Sequence, residues 1–140
     1  METNILRRFV GALFAAGVLG ISIELCFLGH TEDRLQLVPL VLLGLGLVAQ
    51  IWLVWRPSSA SLRAFRSLML LFVLSGFVGV YLHYSANVEF ELEMYPSRRG
   101  LELVREALTG ALPALAPATM MHLGFLGLAS TYRYLKGATQ

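Results

Sequence analysis

Only one cysteine, Cys26, occurs in the 140 residues, so the chain can form neither an intramolecular disulfide nor a thiolate metal cluster. Charge is scarce as well: 14% of the residues are Asp, Glu, Lys or Arg, against about 25% in an ordinary soluble domain. No H-E-x-x-H, H-x-x-x-H or Cys-x-x-Cys spacing occurs, and neither a glycine-rich phosphate loop nor a Ser-His-Asp set is recognisable. These absences argue against a soluble single domain, a nucleic-acid-binding module, a disordered tail, a disulfide scaffold and a thiol-oxidising enzyme. They also leave no residue to which catalysis can be assigned.

What the chain has in quantity is apolar sequence, at 56% of all residues. Four runs, Phe9–Leu28, Val38–Trp55, Leu68–Tyr84 and Ala111–Ser130, each approach the ~17 to 25 residues that one helical crossing of a bilayer requires. The charges sort themselves around these runs. Arg7, Arg8, Arg56, Arg63, Arg66, Arg133 and Lys136 fall on one side with a single acid, Glu2. The other side holds Arg34, Arg98, Arg99 and Arg105 against Glu24, Glu32, Asp33, Glu89, Glu91, Glu93, Glu102 and Glu106. Basic loops stay cytoplasmic, so both termini and the middle loop are expected inside. The expected fold is an all-α integral membrane four-helix bundle of two antiparallel hairpins, in a bacterial inner membrane. The first run follows a basic start but offers no small-x-small cleavage site, so it reads as a retained helix rather than a signal peptide.

Small residues mark the expected helix contacts. Gly17, Gly20, Gly44 and Gly46 thin one face of the first two spans, and Ala16 with Gly20 has the small-xxx-small spacing of close packing. Pro39 reads as a first-turn proline, and Trp52 and Trp55 beside Arg56 suit an inner interfacial belt. In the last span Pro113 and Pro117 bend or break the helix unless they fall in its first turns. His122 follows near mid-depth, as a buried polar group with Thr119 as its local partner.

Between spans three and four, residues 87–110 carry too much apolar area for a free loop and are expected to be ordered at the outer surface. Val88, Phe90, Leu92 and Met94 alternate with glutamates, a strand-like period, but a lone strand leaves its backbone unpaired. Continued as a helix, the segment puts His83, Asn87 and Glu91 in one polar stripe that stops near Pro96. From Gly100 to Gly110, Leu101, Val104 and Leu108 share a face opposite Glu102, Arg105 and Glu106, which describes a short amphipathic helix on the outer surface.

The chemistry-bearing residues gather in the outer half. Glu24, His30, His83 and Glu91 are imidazoles and carboxylates of the type that ligate a divalent metal, and they form the candidate metal set. Glu24 and His83 hold matching positions after Gly20 and Gly79 in a faint internal repeat, so His83 is the expected donor to Glu24. Haem fits poorly, because His122 lies about 16 Å of helix into its span while His83 is near the surface. Two functions follow: a non-catalytic membrane subunit or assembly factor that joins a homo-oligomer or larger membrane complex, or a handler of an ion, metal, proton or quinone headgroup. The lipid bilayer is the partner common to both.

Overall fold

A computed structural model describes residues 2–132 and 134, with side chains from Asn4 onward. Arg133 and Lys136, two of the basic residues expected on the cytoplasmic side, and the C-terminal Gln140 lie outside the described residues. Within them the chain is all-helical, with five helices and no strand: α1 (Glu2–Phe27), α2 (Arg34–Trp55), α3 (Ser59–Met94), α4 (Gly100–Leu108) and α5 (Ala118–Ser130). By length and composition α1, α2 and α3 are each able to cross a membrane.

Local chemistry sets the helix starts. The Gln36 side-chain oxygen reaches back to accept the backbone N–H groups of Glu32 at 3.0 Å and Asp33 at 3.2 Å, holding the turn that opens α2. This start lies four residues before the expected span, which moves Pro39 from the first turn into the helix body. Ser58 and Ser61 exchange side-chain-to-backbone bonds of 3.0 and 3.1 Å, a reciprocal cap at the start of α3. Pro57, just before it, keeps α2 and α3 separate.

Once started, α3 runs for 36 residues, or about 54 Å at the α-helical rise. The alternating segment Val88–Met94 belongs to this helix. Helical backbone pairs with itself, which the isolated strand has no means of doing. The helix closes at Tyr95, whose N–H donates to the Glu91 carbonyl at 2.8 Å, immediately before Pro96.

The fourth apolar run differs from expectation. Only Ala118–Ser130, 13 residues, is α-helical, and residues 111–117 form turns instead. Pro113 and Pro117 lack the N–H groups that an α-helix through this stretch would use. The chain descends through i→i+3 bonds, Ala116 N–H to Pro113 O at 3.0 Å and Met120 N–H to Pro117 O at 3.1 Å. In consequence α5 begins seven residues later than the expected span.

α2 and α5 each lie against both α1 and α3, and α4 folds back on α3. The shared core contains Phe14 and Val18 from α1, Leu43 and Leu53 from α2, Phe65, Met69 and Phe72 from α3, and Met120 and Leu123 from α5. Phe14 is its hub, with ring centroids 5.5 Å from Phe65 in an edge-on contact and 6.0 Å from Phe72. Such offset geometries suit the aromatic quadrupole.

The helices approach most closely through glycines, partly at positions the sequence did not single out. A Cβ on Gly17 would lie 2.6 Å from Leu123, and one on Gly46 2.7 Å from Phe72, so a helix neighbour packs closely on each. Among the described residues, a Cβ on Gly20 or Gly44 would meet no atom from outside its own helix turn within 4 Å. Equally close approaches join α3 to α5 and to the proline turn before it. A Cβ on Gly124 would sit 2.7 Å from the Met69 carbonyl oxygen, and one on Gly79 2.6 Å from Pro117.

Candidate outer-end site

The extension of α3 places His83, Asn87 and Glu91 on successive turns of one face, and this stripe binds the returning chain. Asn87, only 2% exposed, sits at its centre. Its Nδ2 donates to the carbonyls of Ala107 at 2.8 Å and Leu112 at 2.7 Å, and its Oδ1 accepts the Leu112 N–H at 3.0 Å. Gly110 permits that approach, because a Cβ there would fall 2.7 Å from the Asn87 carboxamide carbon.

Above Asn87, Glu91 forms an ion pair with Arg98, both side chains being largely buried. Arg98 also reaches Glu102 at 3.3 Å and lies over the Tyr95 ring, 4.2 Å from its centroid. Below Asn87, His83 Nδ1 lies 3.2 Å from the Pro113 carbonyl oxygen. A carbonyl only accepts, so this bond requires the Nδ1–H tautomer and leaves Nε2 as the acceptor of the neutral ring. His30, in the α1–α2 loop, has its pKa lowered, first by burial and second by the neighbouring charge of His83.

The four metal candidates are therefore not equivalent in place. His30 and His83 are neighbours, Glu91 is engaged by Arg98, and Glu24 is exposed on α1. Among the described residues the Glu24 side chain has no hydrogen-bond partner, and the expected bond from His83 goes to Pro113 instead. No group of three or more His, Cys, Asp or Glu side chains is close enough to hold a metal ion, again among the described residues. Cys26 is exposed rather than packed.

His122 and Thr119 also differ from their expected buried roles, because both are exposed. The buried face of α5 carries Met120, Leu123, Gly124, Gly127 and Ser130, and His122 projects away from it. Thr119 donates its hydroxyl to Ala116 O at 2.8 Å rather than pairing with His122.

Sequence reasoning missed Arg98 as the partner of Glu91, Gly110 as the seat of Asn87, and Gln50. The last had a readable signal, being the one polar side chain in α2 between Leu37 and Trp55. On α4, Leu101 is 86% exposed and stands with Val104 and Leu108 on a face turned away from α3, while Ala107 is buried against it. Chemically, the stripe clamps the segment from Arg98 to Pro113, and His83 at its lower end acts electrostatically on His30. Compared with protein-family models, with curated proteins and with solved structures, the chain matches none, so its functional reading rests on these residues.

Proposed function

We propose that the protein is an integral membrane subunit or assembly factor without catalytic activity, built as a four-helix bundle with both ends on the cytoplasmic side of a bacterial inner membrane. The exposed apolar faces of α1, α2 and α3, among them Leu19, Ile23, Val41, Val48, Leu74 and Phe77, support a lipid surround. The fourth crossing consists of the 111–117 turns together with α5. The exposed Leu101, Val104 and Leu108 of α4 suit the outer headgroup region.

One observation carries the role as a subunit. The side chains of Glu24 on α1 and His122 on α5 are both exposed and lack a hydrogen-bond partner among the described residues. Hydrocarbon satisfies neither group, and an intramembrane carboxylate is costly enough to require a partner. A helix from a second copy or from another membrane protein supplies one, and the unoccupied surface at Gly20 and Gly44 gives it room to approach. Purification in mild detergent followed by crosslinking and mass spectrometry tests this reading. A discrete assembly is expected, and Glu24→Leu combined with His122→Leu should dissociate it while the helix content is retained. A monomer that persists on dilution, with no crosslinked partner, would refute it.

A second reading, proton handling at the outer end, is favoured by the juxtaposition of His30 and His83. Reconstituted protein that carries no proton flux and shows no pH-dependent change at these residues would remove it.

A further inference from the structure

At the end of the molecule opposite the polar stripe, α1 begins, α2 ends, α3 begins and α5 ends. A cleft of about 330 Å³ opens there, with Arg7 and Arg8 at its rim and Ala12, Ala15, Val54 and Phe65 along its wall. Gln50 ties two of its walls together, donating from Nε2 to the Gly11 carbonyl at 2.7 Å. Arg7 donates to the Tyr134 carbonyl at 3.3 Å and lies over that ring at 4.4 Å from its centroid, and the Tyr134 hydroxyl donates to Leu53 O at 3.1 Å. The ring and its bonds fix one guanidinium at the rim. Arg8 is exposed and has no hydrogen-bond or ion-pair partner among the described residues. The ion pairs among those residues involve Arg98 or Arg105, both at the far end, so among the described residues neither rim arginine is paired with an acid.

We propose that this cleft binds an anionic glycerophospholipid of the cytoplasmic leaflet, its phosphodiester on Arg7 and Arg8 and an acyl chain along Ala12, Ala15 and Val54. The inference rests on the membrane orientation given under Proposed function, which puts these arginines at the inner headgroup level. Two features together select this ligand. Guanidinium groups present paired N–H donors that match phosphate oxygens, while the wall below them is largely apolar. A free phosphate would use only the rim, and a zwitterionic lipid would bring its own ammonium group to two arginines. Basic pockets between membrane helices hold acidic headgroups by the same physics.

The protein carries its own reporter. Its two tryptophans, Trp52 and Trp55, flank Val54 of the cleft and are exposed. The test reconstitutes the full chain in phosphatidylcholine vesicles and compares quenching of tryptophan fluorescence by brominated phosphatidylglycerol and by brominated phosphatidylcholine at equal mole fraction. Preference for the anionic lipid is expected, roughly fivefold for each guanidinium engaged. Arg8→Gln should reduce it by about that factor, and Ala12→Leu, which fills the cleft without changing charge, should also reduce it. Arg63→Gln, on the same side but outside the cleft, should leave it intact. Equal quenching by both lipids would overturn the site, as would a preference that Arg63→Gln lowers as much as Arg8→Gln does. Quenching by neither lipid would overturn the membrane reading itself, a distinguishable failure. Inorganic phosphate that competes as well as the lipid would show a rim-only anion site and refute the lipid assignment.

Discussion

The Asn87 carboxamide and the Leu112 backbone face each other as a reciprocal pair, the carboxamide accepting the Leu112 N–H at 3.0 Å and donating to the Leu112 carbonyl at 2.7 Å. Asparagine thus stands in for a strand of backbone and gives the chain leaving α4 a fixed position before it turns down into α5.

Asn87→Leu should cost roughly 2 to 4 kcal/mol, because it strands the Ala107 and Leu112 carbonyls and the Leu112 N–H at a buried site. Asn87→Asp should also destabilise, since a carboxylate has no N–H to offer those carbonyls. Thermal unfolding in detergent, with protease cleavage between Tyr95 and Leu112 as a local readout, measures both. Cleavage no faster than in the unaltered protein would show that the clamp does not hold this segment.

Gly124→Ala should destabilise the α3–α5 contact by about 1 to 3 kcal/mol. Its new Cβ would press on the Met69 carbonyl at 2.7 Å, and backbone has little room to yield. Gly44→Ala meets no atom within 4 Å and should leave thermal stability unchanged or slightly raised, since alanine is the better helix former. Equal melting shifts for the two variants would contradict the packing described.

Stability of the outer end should fall with acidification. In the folded chain burial and His83 hold the His30 pKa below its ordinary 6.5, so the unfolded chain takes up a proton first. Stability is therefore complete above about pH 6.5 and declines as the pH drops through the interval between the two values. Amide exchange in the α1–α2 loop between about pH 7 and 5 reports this, and His30→Gln should flatten the profile. A profile unchanged by that substitution would assign the effect elsewhere.

Reporter fusions test orientation. One at Ser59 or Gln140 should behave as cytoplasmic and one at Asp33 as external, because the basic residues flank the first two and the acids the third. An external signal at Ser59 would reverse the topology.

The long helices were legible because hydrophobic length is a local property, and so was the outer stripe, whose i, i+4, i+8 spacing is fixed by the helix itself. His83, Asn87 and Glu91 do share a face, yet the spacing said nothing about what they would meet. Their partners, Pro113, Leu112 and Arg98, are set by the path of the returning chain. Glycine positions show the same division. Gly17 and Gly46 look no different in sequence from Gly20 and Gly44, and only the placement of Leu123 and Phe72 separates them. Depth alone points His122 to the interior, whereas its direction depends on where α5 starts, and the two prolines decide that.

The shortness of α5 has a mechanical consequence. Thirteen residues of helix cover about 20 Å, some 10 Å less than a hydrocarbon core, while α2 on the opposite side of the core covers the full height. In a bilayer the molecule is therefore tall on one flank and short on the other, with the deficit taken up by the proline turns braced on His83 and Gly79. If the protein spans a bilayer as proposed, lipid beside α5 meets these turns rather than helix, and any thinning that spares it this contact costs more with each ångström of mismatch. Membrane thickness then becomes a variable that acts on this flank alone, and a neighbouring helix seated over His122 would relieve the strain that the bilayer otherwise bears.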